Sequence, residues 1–192
     1  MMRFVLLGAA ALAVPLVAAT GQTPAPATAS APRSAEAIFA DRLSNDPRAE
    51  SLRPYGQRIP PEVRTDKTVQ FGKALRIPIS GAIPEFGRIG VVTPTLKPVR
   101  KGDRIVIAFW ARAQRTEGDA PGKICRSQLE ATPVVRTIFE QPFDITPEWK
   151  MYKLIGKADQ AYPAGGLNAA FHLGCAKQTI DIGPVFILDY GQ

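Results

Sequence analysis

The segment 101–113, KGDRIVIAFWARA, constrains the fold of this chain more than any other. A Lys-Gly-Asp turn leads directly into β-branched and aromatic residues, which is typical of a β-strand with a defined start. Because side chains alternate along a strand, one face carries Ile105, Ile107, Phe109, Ala111 and Ala113, and the other carries Arg104, Val106, Ala108, Trp110 and Arg112. The first face is predicted to be core. The second is an apolar strip between two arginines, which suits either a partly covered surface or a platform for a ligand.

Further short extended segments follow along the chain. They cover residues 69–71, 74–80, 89–96, 124–131, 134–143, 149–158, 167–173, 178–182 and 185–188, with a hairpin predicted between 167–173 and 178–182. Nine or ten short strands with no long helix predict an all-β fold, an antiparallel β-sandwich of the jelly-roll type. The sandwich is predicted to span residues 63–192. Before it, residues 20–62 form a Pro/Ala-rich tether and an irregular segment, in which residues 34–43 favour one short helix.

The first 19 residues have the pattern of a secretory signal peptide. Arg3 precedes an apolar run, and small residues at Val17 and Ala19 mark a cleavage site. The run is shorter than the roughly 20 apolar residues that span a bilayer, and no later segment is apolar enough to do so. We therefore expect an exported protein, periplasmic or secreted, that does not span the membrane.

The charge and the motifs exclude several classes of function. The 24 basic residues exceed the 17 acidic ones, giving a net charge of +7, which favours anionic polymers as partners or serves solubility alone. No arginine-rich tract or recognition-helix pattern is present, so nucleic acid is not an expected partner. A Gly-x-Ser-x-Gly motif and a Gly-rich phosphate loop are absent from the sequence, and one histidine is too few for a histidine-rich metal site. The chain is therefore predicted to be non-catalytic.

Cys125 and Cys175 are the only cysteines. In an oxidising compartment an even pair favours a disulfide, which would stabilise the fold by roughly 4 kcal/mol in the chain-entropy model. The alternative is two buried thiols that never meet.

The sequence resembles carbohydrate-binding modules of the family 4/9/22 type, which are jelly rolls of the galactose-binding-like superfamily. The resemblance lies in an ordered series of motifs between Asp66 and Tyr190. The motifs are FGKALR at 71–76, KGD at 101–103, FWAR at 109–112, PEWKMY at 147–152, FHLG at 171–174 and QTIDIG at 178–183. It implies the same sandwich and binding of a polysaccharide or oligosaccharide. It also implies a structural calcium ion near the first and last strands, for which Asp189 is the candidate ligand, although one carboxylate is far short of the six to eight oxygens required. No other cofactor is expected.

Six residues are the candidate ligand contacts. They are Trp110, Arg112, Gln128, Asn168, His172 and Gln178. A tryptophan ring can stack on the C–H face of a sugar, although a large aromatic residue in a small sandwich is also a common core residue. The polar candidates alternate with core positions and could form a hydrogen-bonding floor, or they could simply be solvated. His172 is the only histidine, and a lone histidine is more often structural than a metal ligand or a base.

The sequence thus predicts an exported, non-catalytic protein that binds a glycan on a sheet face or a loop edge. Two alternatives come from other classes of function. One is a structural or protein-interaction module of the cell envelope with the same sandwich, and the other is an unrecognised glycan-active enzyme. The lyase signatures Gln-Ile-His and Tyr-x-Lys-x-Gly are not matched.

Overall fold

A computed structural model describes residues 34–192, so the predicted signal peptide and the first part of the tether lie outside the described residues. Ten strands form two five-stranded antiparallel sheets in the described part of the chain. The strands are β1 Arg53–Tyr55, β2 Glu62–Thr65, β3 Lys73–Ile79, β4 Gly90–Pro94, β5 Arg104–Thr116, β6 Gly122–Ala131, β7 Arg136–Ile145, β8 Lys150–Lys157, β9 Leu167–His172 and β10 Gln178–Asp189. The first sheet has the order β1-β4-β9-β6-β7 and the second the order β2-β3-β10-β5-β8. The predicted all-β antiparallel sandwich is confirmed.

The core lies between the two sheets and is centred on β5. All five residues of its predicted core face are buried. The ring of Phe109 contacts Phe171 of the opposite sheet, with ring centroids 4.7 Å apart, and it also contacts Phe143 and Tyr152. Period-2 alternation therefore places β5 correctly.

The folded unit extends upstream of residue 63. Helix α1, Ala35–Arg42, begins at the N-cap Ser34, whose side chain accepts a hydrogen bond from the Ala37 amide. This confirms the short helix expected there. The chain then runs beside the end of β10, where the Asn45 amide donates to the Val185 carbonyl and accepts from the Ile187 amide at 2.8 and 2.7 Å. None of the helices within residues 34–192 is long and apolar enough to cross a membrane.

The predicted hairpin between residues 167–173 and 178–182 is wrong. Strand β9 lies in the first sheet and β10 in the second, so the connection between them crosses the end of the sandwich. Strand β10 also continues through Gly183-Pro184, where only its register with β5 shifts. Alternation shows which residues point inward, but it does not show which sheet a strand joins.

A disulfide joins Cys125 of β6 to Cys175 of this connection, with 1.97 Å between the sulfurs. The predicted bond is confirmed. It ties the first sheet to the segment that leads into the second.

We predict that Asn45→Ala lowers the free energy of unfolding by about 3 kcal/mol, because two buried backbone groups of β10 lose their partner. Urea unfolding measures the change. The neighbouring Ser44→Ala removes only a local bond to the Arg42 carbonyl and should cost less than about 1 kcal/mol. Equal effects of the two variants would contradict the role given to Asn45.

Candidate functional site

The outer face of the first sheet carries a continuous set of mostly polar side chains, here called the polar face. Strand register places them in three rows across the sheet. The rows are Tyr55, Gly90, His172 and Arg126; Arg53, Val92, Ala170, Gln128 and Glu140; and Pro94, Asn168, Glu130 and Thr137. On the inner strands these residues alternate with buried ones, such as Phe171 between Ala170 and His172.

The centre of the polar face is more buried than its edges. Gln128 and Glu130 on β6 are only 2 % and 5 % exposed, although they point away from the core. Arg53 on the edge strand β1 and Glu140 on the edge strand β7 are exposed. Ala170, between these two strands, is fully buried.

Hydrogen bonds fix the orientation of the polar groups in the middle of this face. The Gln128 amide donates to the Glu130 carboxylate and accepts from the Thr137 hydroxyl at 3.0 Å. Asn168 lies opposite Glu130 and is half-buried. The side chains of Gln128 and Glu130 are thus held in place before any ligand arrives.

One end of the polar face is built around His172. Its Nδ1 lies 3.1 Å from the Tyr55 hydroxyl and 3.2 Å from the Gly87 carbonyl oxygen. Because that carbonyl can only accept, we assign the ring proton to Nδ1, which leaves Nε2 buried without a hydrogen-bond partner among the described residues. Burial lowers the pKa of His172 below 6.5, against a smaller opposing effect of the bond to Gly87. His172 is therefore neutral at pH 7.

Tyr55 packs on the neighbouring strand at this end. A β-carbon at Gly90 would lie 2.5 Å from the Tyr55 hydroxyl oxygen, so only glycine lets the tyrosine approach so closely. Burial raises the pKa of Tyr55 to about 12, and the Glu130 carboxylate adds to the rise. The hydroxyl thus stays protonated as a hydrogen-bonding group.

Arg126 continues the polar face towards the loop that contains Phe86. Its guanidinium lies 3.0 Å from Glu140 and 5.2 Å from the centre of the Phe86 ring. The Phe86 ring in turn meets His172 edge-on at 6.3 Å. The face therefore ends in an aromatic and cationic rim.

The structure does not bring the six predicted contacts together. Gln128, Asn168 and His172 share the polar face. Trp110 and Arg112 lie on the outer face of the second sheet, on the opposite side of the sandwich. Gln178 is buried at the start of β10, where its amide bonds both backbone groups of Lys123 at 2.7 Å.

The side chains of Arg112 and Trp110 are engaged in contacts within the protein. Arg112 bonds Asp181 at 3.0 Å and Asp66 at 2.7 Å, and it stacks over Trp149 at 4.7 Å. Arg76 bonds the same Asp181 from the other side at 2.8 Å. Trp110 packs on a small apolar cluster with Phe186 and Leu188, outside the main core.

The calcium ion implied by the resemblance was tested against the residues around Asp189. One Asp189 carboxylate oxygen accepts from the Gly191 amide, and burial raises the pKa of Asp189, with the nearby Asp103 carboxylate contributing. Within residues 34–192 no group of three or more His, Cys, Asp or Glu side chains could hold a metal ion. The side chains alone thus do not make a calcium site, and the ion stays a prediction from the resemblance.

Arg126, Glu130 and Tyr55 of the polar face were not among the predicted contacts. Arg126 and Glu130 alternate with the core residues of β6 just as Gln128 does, so the pattern contained them. Tyr55 lies in a three-residue strand inside a proline-bearing segment, where alternation gives no signal.

The two sheets have the fold of carbohydrate-binding modules of the family 4/9/22 type, as the motifs predicted. Several solved structures of such modules superpose on the chain. A CBM4 structure has a TM-score of 0.53 and 17% identity, covering 73% of this chain and 95% of that one. The N-terminal cellulose-binding domain of Cellulomonas fimi β-1,4-glucanase C has a TM-score of 0.54 and 18% identity, covering 77% of this chain and 92% of that one. The CBM22-1 xylan-binding domain of Paenibacillus barcinonensis Xyn10C has a TM-score of 0.51 and 12% identity, covering 79% of this chain and 93% of that one.

At these identities the likeness shows the fold and nothing finer. No protein-family model matches the chain, and no curated protein matches it.

We predict that unfolding becomes easier as the pH falls from about 7.5 towards 5.5, because the unfolded chain takes up a proton at its histidine more readily than the folded chain does. This contribution to stability is complete above the unfolded pKa of 6.5 and is lost as the pH falls towards the lower folded value. His172 is the only histidine, so His172→Gln should flatten the dependence. An NMR titration of the ring that gives a pKa of 6.5 or above would contradict this.

We predict that Asp189→Asn raises the melting temperature at pH 7. The raised pKa means that ionising this carboxyl costs stability, and asparagine keeps an acceptor for the Gly191 amide. Thermal melts with calcium and with a chelator complete the test. A calcium-dependent rise in the wild type that the variant loses would show instead that Asp189 is a calcium ligand.

Proposed function

We propose that this chain is an exported, non-catalytic protein that binds a polysaccharide or oligosaccharide along the polar face. The observation that carries the proposal is the set of hydrogen-bonded amide, carboxylate, imidazole and hydroxyl groups on the outer face of the first sheet. A sugar chain offers a hydroxyl group at nearly every ring carbon, so it can use many such donors and acceptors at once.

The chemistry of the face suits binding of a neutral sugar ring. The half-buried Asn168 amide offers a donor and an acceptor, and the Glu130 carboxylate keeps acceptor capacity beyond its bond from Gln128. The partly exposed side chain of Val92 offers apolar surface to the C–H face of the ring. Since their orientation is already fixed, Gln128 and Glu130 lose little conformational entropy on binding.

The proposal that the chain is non-catalytic is supported by how the carboxylates of the polar face are used. Hydrolysis of a glycosidic bond needs one carboxyl group as acid and a second as base or nucleophile. Here Glu130 accepts from Gln128, and Glu140 is paired with Arg126. Export rests on the pattern of residues 1–19, and N-terminal sequencing of the mature protein tests it.

Affinity electrophoresis on a panel of neutral and acidic polysaccharides tests the binding proposal. We predict that Asn168→Ala and Glu130→Gln each weaken binding about tenfold, which corresponds to about 1.4 kcal/mol for one hydrogen-bonding group. Lys153→Ala, on the exposed surface of β8 in the other sheet, is the matched control and should bind as the wild type does.

Failure of the folded wild type to be retarded by any polysaccharide would contradict the proposal. If Lys153→Ala weakened polysaccharide binding as much as the polar-face variants do, the polysaccharide would contact a surface other than the polar face. Release of reducing sugar, lost in Glu130→Gln, would make the chain a glycan-active enzyme.

A further inference from the structure

A second groove lies at the end of the sandwich where β3 ends, β5 ends and β10 begins. Here it is called the loop-end groove. Paired residues Pro78, Thr179 and Arg115 form its floor across three adjacent strands. One part has a volume of about 560 Å³ and is lined by the exposed Ile59, and an adjoining part of about 460 Å³ reaches Lys123 and Cys175. Lys177 and Glu117 line both parts.

The loop-end groove has an excess of positive charge. Arg115, Lys123 and Lys177 line it, against the single carboxylate of Glu117. All three cations are exposed, and no ion pair joins any of them to an acid within residues 34–192. Their charge is therefore available to a ligand.

Cross-links hold the backbone at two of these cations, Lys123 and Lys177. The Gln178 side-chain amide accepts a hydrogen bond from the backbone amide of Lys123 and donates one to its carbonyl, each at 2.7 Å. The disulfide joins Cys125 to Cys175, each two residues from one of the two lysines. The positions of Lys123 and Lys177 are thus coupled through two cross-links, which limits the backbone entropy lost when a ligand bridges them.

Cavities that share lining residues lie between the loop-end groove and the polar face. The cavity beside the disulfide shares Lys123 and Cys175 with the loop-end groove and reaches Phe86, and the next cavity joins Phe86 to Arg126 on the polar face. A chain molecule that lies on the polar face could therefore continue around this end of the sandwich.

We propose that the loop-end groove binds the negatively charged group of an acidic sugar unit, a carboxylate or a sulfate, in a glycan held on the polar face. This rests on the proposed function. The lysine and arginine side chains contact the anionic group, and the apolar surfaces of Ile59 and Pro78 contact the sugar ring. Gln178 acts as a positioning residue that holds Lys123.

The test compares polygalacturonate, its fully methyl-esterified form and dextran sulfate in affinity electrophoresis with the full chain. We expect the double variant Arg115→Gln/Lys177→Gln to bind an acidic polymer at least about tenfold more weakly than the wild type does, which corresponds to about 1.4 kcal/mol. Its binding of the esterified polymer should be unchanged. Raising the salt concentration should reduce the difference, because exposed charges are screened. Carboxylate and sulfate are told apart by which acidic polymer responds.

The double variant Lys153→Gln/Lys157→Gln removes the same charge from β8 and should leave binding unchanged. The anion-binding role of the loop-end groove is overturned if this control weakens binding of the acidic polymer equally, or if the groove variant does not weaken it. Asn168→Ala still tests binding on the polar face separately. Binding of no polymer by the folded wild type overturns both proposals.

Discussion

The contact between Phe109 of β5 and Phe171 of β9, 4.7 Å between ring centroids, joins the two sheets across the core. Because side chains alternate, a ring that points inward fixes the direction of its neighbours. With Phe171 inside, Ala170 and His172 must point out of the first sheet. With Phe109 inside, Trp110 must point out of the second. The hydrophobic core thus decides which residues each outer face can offer.

The two outer faces use their polar groups differently. On the second sheet Asp181 is enclosed by Arg76 and Arg112, and helix α1 approaches the apolar cluster around Phe186. The charged groups there satisfy one another within the protein. On the first sheet Asn168 and Arg126 are partly exposed beside the buried, oriented pair Gln128 and Glu130, so the face keeps capacity for a ligand. This difference, more than the fold, favours the first sheet as the binding surface.

Alternation within single segments predicted much of this arrangement. The inward face of β5 and the outward direction of Gln128, Asn168 and His172 follow from neighbouring residue types. Sheet membership does not, since it depends on contacts between distant segments, and so Trp110 was grouped with residues on the opposite side. Tyr55 lies in a strand of three residues, too short for a periodic signal. Its position depends on Gly90, thirty-five residues along the chain, leaving space for the ring.

The central claim is that a glycan lies on the outer face of the first sheet. An NMR titration of the isotope-labelled protein with an oligosaccharide taken from a retarding polymer tests it most directly. If the glycan binds there, the signals of Asn168, His172 and Arg126 shift with one common affinity while those of Met151 and Lys153 on the second sheet stay in place. Shifts centred on the second sheet, with the first unaffected, would contradict it.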